Sequence, residues 1–253
     1  MFGYELPLMK TRCVYPCYRP HKKPPLRERK KRETIKLVFF DMDGVLLDTV
    51  SSWRSIHEHF GTTNQRSIIP YLRGDIDYLE FIRRDVSLWK IDGKSVKETT
   101  IQNILFSIPF IKGVKDCFSF LKEHHVQTAI VSAGLTILAE KVASDLGINY
   151  VFANEVKIDS DGRLTGEGVL HVELMHKDKN VKALAQKLHL PLEACAAVGN
   201  SCFDIPMLET CGLGIAFNPE DACVVQCADI VVDEKDLSRL IPALHPYIID
   251  SIL

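Results

Sequence analysis

Asp41 and Asp43, in Asp41-Met42-Asp43-Gly44-Val45, follow directly on an apolar run. Two carboxylates at i and i+2 leave a strand end pointing the same way, about one metal site apart. One can attack phosphorus and become an acyl phosphate. The other can give a proton to a leaving group and take one from water. Together they suit Mg2+, a hard cation that takes oxygen ligands. The same residues could instead close an Asx-turn. Ser132, in Val131-Ser132-Ala133-Gly134, stands just before a helical pattern. Its hydroxyl and the backbone N–H groups from Ala133 onward suit a phosphate oxygen, or an ordinary helix cap. Lys177 precedes another helical stretch, where it could neutralise phosphate charge or remain a solvated lysine; Lys179 and Lys182 are neighbours that could serve instead. Gly199-Asn200-Ser201-Cys202-Phe203-Asp204 offers a tight turn, an amide and a carboxylate. It reads as a second metal-binding corner or as a turn with a helix cap.

The segments around these residues place them. Ile35–Phe40 is a short apolar run of the kind that forms a buried strand, and similar runs occur at 126–131, 150–152, 195–198, 214–217 and 230–232. Helical patterns separate them. Leu135–Leu146 is amphipathic and stops at Gly147, and 181–188 carries apolar residues at 181, 184, 185 and 188. Strands alternating with helices predict an α/β fold, a Rossmann-like parallel sheet flanked by helices. Ligands bind at the carboxyl ends of such strands, so all four motifs should converge on one edge. Their order and convergence favour phosphoryl transfer over four unrelated turns.

One interval breaks the alternation. Residues 47–111 read as a helical cap inserted after the first strand, with 35–46 and 112–253 as the α/β core. Trp53, Ile56, His57 and Phe60 share a helix face ended by Gly61. Asp77 can cap a second helix, with Glu80 three residues on; Leu79, Ile82, Val86 and Trp89 form its expected buried stripe. The stretch D-S-D-G-R-L-T-G near 159–166 predicts a small hairpin turn.

The constellation resembles the haloacid dehalogenase superfamily of phosphatases. Its first motif, D-x-D-x-[T/V], is matched fully by Asp41 to Val45, its strand-terminal Ser or Thr by Ser132, its lysine by Lys177, and its acidic loop by 199–204. The resemblance covers about Ile35 to Leu253 and is nearest to the phosphoserine phosphatase group. V-S-A-G is similar to that group's V-S-G-G, and V-G-N-S-C-F-D-I-P-M-L to its V-G-D-G-A-N-D-x-x-M. Lys177 lies 23 residues before Asn200, a spacing that suits the group. The resemblance implies a small phosphorylated metabolite as substrate, phosphoserine first among them. It also implies Asp41 as nucleophile, Asp43 as acid and base, and Ser132, Ala133 and Lys177 around the phosphoryl group. Mg2+ would be held by Asp41, Asp43, Asn200 and Asp204. Two departures stand out. Asn200 occupies the place of a metal-binding Asp, which removes a negative charge. The family's amino-acid-gripping Glu and Arg fall near Val50 and Asp85, with Asp48, Arg83 and Arg84 alongside.

Composition frames this reading. The chain has 253 residues, 46% hydrophobic and 25% charged, which excludes global disorder and a disulfide miniprotein. No stretch approaches a membrane span. The net charge of −2 hides a split: residues 1–35 carry ten Lys/Arg and three Glu, the remainder 21 against 30. Residues 1–34, basic and containing Pro7, Pro16, Pro20, Pro24 and Pro25, read as a disordered extension. Nucleic-acid binding through Arg27 to Arg32 is a weaker reading than a solvated tail. Asn200 and this tail together define the competing hypothesis, a catalytically weak or inactive phospholigand- or nucleic-acid-binding descendant; a phosphomutase is a third. With no secretory signal pattern, a cytoplasmic protein with reduced thiols is expected. Nothing points to a particular oligomer. Cys13-x3-Cys17 and Cys223-x3-Cys227 could make a four-thiolate zinc set, though C-x2-C is the commoner spacing and a helical Cys223/Cys227 pair suits core packing.

Overall fold

The computed structural model describes Cys13 and residues 33–249; the expected disordered extension therefore lies, apart from Cys13, outside the described residues. In chain order the elements are β1 (Leu37–Phe40), α1 (Ser52–His59), α2 (Gln65–Arg73), α3 (Tyr78–Leu88), β2 (Lys90–Ile91), β3 (Lys94–Ser95), α4 (Glu98–Phe106) and α5 (Val114–Glu123). There follow β4 (Gln127–Leu135), α6 (Thr136–Leu146), β5 (Tyr150–Ile158), β6 (Leu164–Val169), α7 (Asp178–Lys187), β7 (Cys195–Gly199), α8 (Ile205–Thr210), β8 (Leu213–Phe217), α9 (Ala222–Cys227), β9 (Ile230–Val232) and α10 (Leu240–Ile248).

The main sheet has the order β6-β5-β4-β1-β7-β8-β9 and is parallel except for β6, which returns antiparallel to β5. This is the α/β architecture the alternation predicts. β1 shows why it is central. Its four residues are all buried, Val38 and Phe40 packing into one apolar cluster and Leu37 and Phe39 into the other. A strand covered on both faces needs no polar alternation. Being central, β1 has β4 on one side and β7 on the other. Three neighbouring strands thus deliver Asp41, Ser132 and Asn200 to one edge.

Between β1 and α5 the chain forms α1 to α4 and the two-stranded β2–β3 hairpin, a helical insert whose side chains join the Val38 and Phe40 cluster. α1 stops at His59, and Gly61 takes the left-handed conformation just beyond it. Asp77 caps α3 by accepting from the Glu80 N–H at 2.7 Å. The expected stripe on α3 is corrected at Leu79, which is 37% exposed. The inward face is instead Tyr78, Phe81, Ile82, Asp85 and Val86, because the helix is clamped by rings at Tyr78 and Phe81. Trp89 is fully buried and donates from Nε1 to His57 Nδ1 at 3.2 Å, while His57 Nε2 lies 3.0 Å from Asp85 Oδ2. With Nδ1 accepting, Nε2 carries the proton and donates to the carboxylate.

Two boundaries differ from the sequence reading. β4 does not end at Val131 but continues to Leu135, and its register against β5 shifts between Val131 and Leu135. Ser132 to Gly134 are therefore extended yet outside the regular ladder, free to serve the edge. β5 runs on to Ile158 because its second half is an arm of the β5–β6 hairpin. That hairpin is the platform for α3. At Gly168 a Cβ would stand 2.6 Å from the Glu155 carbonyl oxygen and 2.8 Å from Ile82 Cδ1. Gly168→Ala is expected to destabilise the protein by about 1–3 kcal/mol through overpacking, read as a lower urea midpoint, with Gly162→Ala, at the open hairpin tip, not reproducing the overpacking effect.

Candidate active site

The chain around Asp41 is a tight loop. The N–H groups of Val45, Leu46 and Leu47 all point to the Met42 carbonyl, and Gly44 has φ of +75°. A Cβ on Gly44 would lie 2.1 Å from Asn200 Nδ2, so the Asn200 carboxamide sits directly over this loop. Backbone conformation and space both require glycine there.

Lys177 is the hub. It is 2% exposed, and its Nζ lies 2.8 Å from Asp41 Oδ1 and 2.6 Å from Asp204 Oδ1. It stands at the residue before α7, which begins at Asp178, so the helix start fixes its backbone. Lys179 and Lys182 lie on the surface, paired with Glu173 and Asp178. Burial alone would lower the Lys177 ammonium, but Asp204 and Asp41 outweigh it and hold it raised. Asp204 is fully buried and heavily bonded: Oδ1 takes Lys177, and Oδ2 accepts from the N–H groups of Asn200 and Ser201 at 2.9 and 3.0 Å and from the Ser201 hydroxyl at 3.1 Å. Its carboxylate shapes the loop after β7 and steers the lysine.

Asp43 has one engaged and one unengaged oxygen. Oδ2 accepts from the Ser52 N–H at 2.7 Å and its hydroxyl at 2.8 Å, while buried Oδ1 has no partner among the described residues. Burial raises its pKa, against the bonds from Ser52. A carboxyl oriented on one oxygen and unspent on the other suits proton transfer. Asp41 is pushed up to about 7, first by burial and next by the charge of Asp204.

The Ser132 hydroxyl accepts from the Gly134 N–H at 3.1 Å. At Ala133 the carbonyl is the knot between insert and core. Tyr78 OH donates to it at 2.5 Å, Trp53 Nε1 at 3.2 Å and Asn154 Nδ2 at 3.4 Å. Asn154, fully buried, also accepts from the N–H groups of His171 and Val172 at 2.8 Å each. The sequence reading brought Asp41, Asp43, Ser132, Ala133, Lys177, Asn200 and Asp204 forward, and the fold gathers all seven at one edge. It missed Ser52, Trp53, Tyr78 and Asn154. Ser52 had a visible signal as one of two serines opening a helix; the other three act across long sequence distances.

The cavity over this edge has a volume of about 170 Å3. Asp41, Asp43, Ser132, Lys177 and Asn200 form its floor, and Val50, Trp53, Ile68, Tyr78, Phe81 and Leu174 its walls. Arg54 and Asn64 also line it. Asp48 is instead paired with Lys235, Arg83 with Glu80 and Glu167, and Arg84 with Glu80, none of them lining the cavity.

Residues 38–209 match the haloacid dehalogenase-like hydrolase family. The chain belongs to that family. Its relatives include a phosphoserine phosphatase of Archaeoglobus fulgidus, 30% identical over 216 residues, covering 83% of this chain and 60% of the relative's own length. A phosphoserine phosphatase of Idiomarina loihiensis is 28% identical, covering 82% of this chain and 93% of its own. Among solved structures, a phospho-aspartyl intermediate analogue of phosphoserine phosphatase superposes with a TM-score of 0.70 at 27% identity, covering 83% of this chain and 99% of that one. A substrate-bound phosphoserine phosphatase complex gives the same TM-score and identity, with 85% and 99% covered. The chain is therefore a hydrolase of this family, phosphoserine phosphatase-like in sequence and fold.

The Asp41 carboxyl yields a prediction about stability in Mg2+-free buffer. The unfolded chain releases this proton near pH 3.8, the folded chain near 7. Between those values the folded state holds the extra proton, so this group's contribution falls as pH rises. Thermal melts of wild type and Asp41→Asn should diverge from about pH 4 to about pH 7, the variant gaining relative to wild type.

Proposed function

We propose that this protein is a Mg2+-dependent phosphomonoester hydrolase working through an aspartyl-phosphate on Asp41. The observation that carries the reading is the buried Lys177 ammonium bridging Asp41 and Asp204 beside an Asp43 oxygen without a partner. Asp41 attacks phosphorus in line with the ester oxygen. Asp43 protonates the departing alcohol, then takes a proton from the water that cleaves the acyl phosphate. Ser132, the N–H groups at Ala133 and Gly134, and Lys177 hold the phosphoryl oxygens. Ser52 keeps Asp43 aimed, and Tyr78 and Trp53 tie the insert to the peptide at Ala133.

The donors fit Mg2+. Asp41, the Asp43 carbonyl and the Asn200 amide oxygen would serve as hard oxygen donors at this edge, with Asp204 on the far side of Lys177. Mg2+ keeps several waters and needs few carboxylates, so an amide in place of an acid leaves a usable but weaker site. When bound, the ion offsets charge on the transferring phosphoryl group.

The substrate is a small phosphorylated metabolite, with phosphoserine the first to test because relatives carry that name. A second reading rests on the cavity walls. Val50, Trp53, Ile68, Tyr78 and Phe81 offer apolar surface, and no Glu or Arg occupies the two amino-acid-gripping positions. They favour an ester whose alcohol is apolar. The protein would work in the cytoplasm, where its own thiols stay reduced. No helix among the described residues is long and apolar enough to cross a membrane.

Phosphate release should be assayed with Mg2+ on phosphoserine, phosphothreonine, and aryl and alkyl phosphates. Turnover is expected with wild type and none with Asp41→Asn. Turnover surviving that change, or none on any substrate, rejects the proposal. Asp43→Asn should lower kcat by roughly 10²–10⁴-fold. Asn200→Asp should lower the Mg2+ concentration for half-maximal activity on the order of tenfold, since affinity follows ligand charge.

A further inference from the structure

The catalytic edge uses none of the described cysteines, yet three of them, Cys13, Cys202 and Cys223, meet beside one of its loops. Cys202 belongs to the turn that carries Asn200 and Asp204. Its sulfur, the sulfur of Cys223 and a carboxylate oxygen of Asp221 all lie within 4.8 Å of one another, and all three residues are buried. Independently, Cys13 packs on the same apolar cluster. Its Sγ is 3.2 Å from Cys223 Sγ, across 210 positions of sequence. The Cys13 thiol donates to the Cys223 sulfur at that distance, so the two side chains already face each other.

We propose that Cys13, Cys202, Asp221 and Cys223 form a binding site for a soft or borderline divalent cation of the zinc class. The donors are three sulfurs and one carboxylate, a set that selects such ions over Mg2+. Two thiolates on one zinc at about 2.3 Å each stand roughly 3.8 Å apart in a tetrahedron. Cys202, Asp221 and Cys223 already stand within 4.8 Å of one another, and Cys13, which touches Cys223, would have to swing toward the other two to complete the shell. A bound cation would take the thiols as thiolates and release their protons.

The position gives the site a consequence. Asp221 Oδ2 accepts from the Cys202 N–H at 2.7 Å, and the Glu220 N–H donates to the Asn200 carbonyl at 2.7 Å. Asn200, Ser201, Glu220 and Asp221 all line the catalytic cavity. A cation here would fasten Cys13 to that loop and brace the residues that line the cavity. The set differs from the one the C-x3-C spacings suggest. Cys13 and Cys223 come together, but Cys202 and Asp221 complete the group; Cys227 packs half-buried on the same cluster and Cys17 lies outside the described residues.

Cobalt titration of the full chain, stripped of metal and kept reduced, tests this with excess Mg2+ present to fill hard sites. Thiolate-to-Co2+ charge-transfer absorption saturating at one equivalent and displaced by Zn2+ is expected. Cys223→Ser and Cys13→Ser should each weaken binding at least tenfold, while Cys117→Ala, buried in the other apolar cluster, leaves it unchanged. Cys13 lies outside the core strands and helices, so its variant keeps the fold, checked by thermal melting. Absence of the absorption overturns the proposal, as does its persistence in both serine variants. So does a protein that ignores Co2+ but, treated with hydrogen peroxide, loses two hydrogens to a Cys13–Cys223 disulfide.

Discussion

One ammonium group between two buried carboxylates organises this molecule. Lys177 joins the strand-end loop at Asp41 to the loop at Asp204 by an ion pair to each. Removing a charge from water costs several kcal/mol per ion, and only close, well-bonded partners offset it. Asp204 meets that condition with four donors. Asp41 meets it less completely, which is why its carboxyl is held near 7. The stable partner supports the lysine, and the less satisfied one remains available for chemistry.

The insert is held by a different device. One backbone carbonyl, at Ala133, accepts from Tyr78, Trp53 and Asn154. Tyr78 and Trp53 come from the insert, Asn154 from β5. The peptide they grip adjoins Ser132, so the parts that would choose a substrate are tied to the part that would hold phosphate. The apolar rings around this knot, Trp53 with Phe81 and Trp89, and Tyr78 with Phe81, keep the donors rigid.

Much of this was legible beforehand. Asp41 and Asp43 follow a run so apolar that only a doubly covered strand explains it, and strand ends in alternating folds point to one edge. Gly147 and Asp77 marked helix limits through local chemistry, and local chemistry does not depend on the rest of the fold. Leu79 was misplaced because periodicity gives a stripe's spacing but not which of two adjacent stripes meets the core. The ring packing of Tyr78 and Phe81 decided that. β4 continued past Val131 because its partner β5 did, a matter of pairing and not of residues 131–135.

The sequence by itself determined the kind of chemistry: paired aspartates, a serine, a lysine and an acidic loop in this order admit few reactions. Spacing already favoured Lys177 over its neighbours, and tertiary structure added the reason it stands apart from them. Lys177, Lys179 and Lys182 are chemically the same, and only packing buries the first between two carboxylates and leaves the others in water. It also decided that Ser52 aims Asp43, and that Cys13 reaches Cys223 across 210 residues. Spacing constrains residues a few positions apart. Groups separated by a whole domain meet only once the chain has packed.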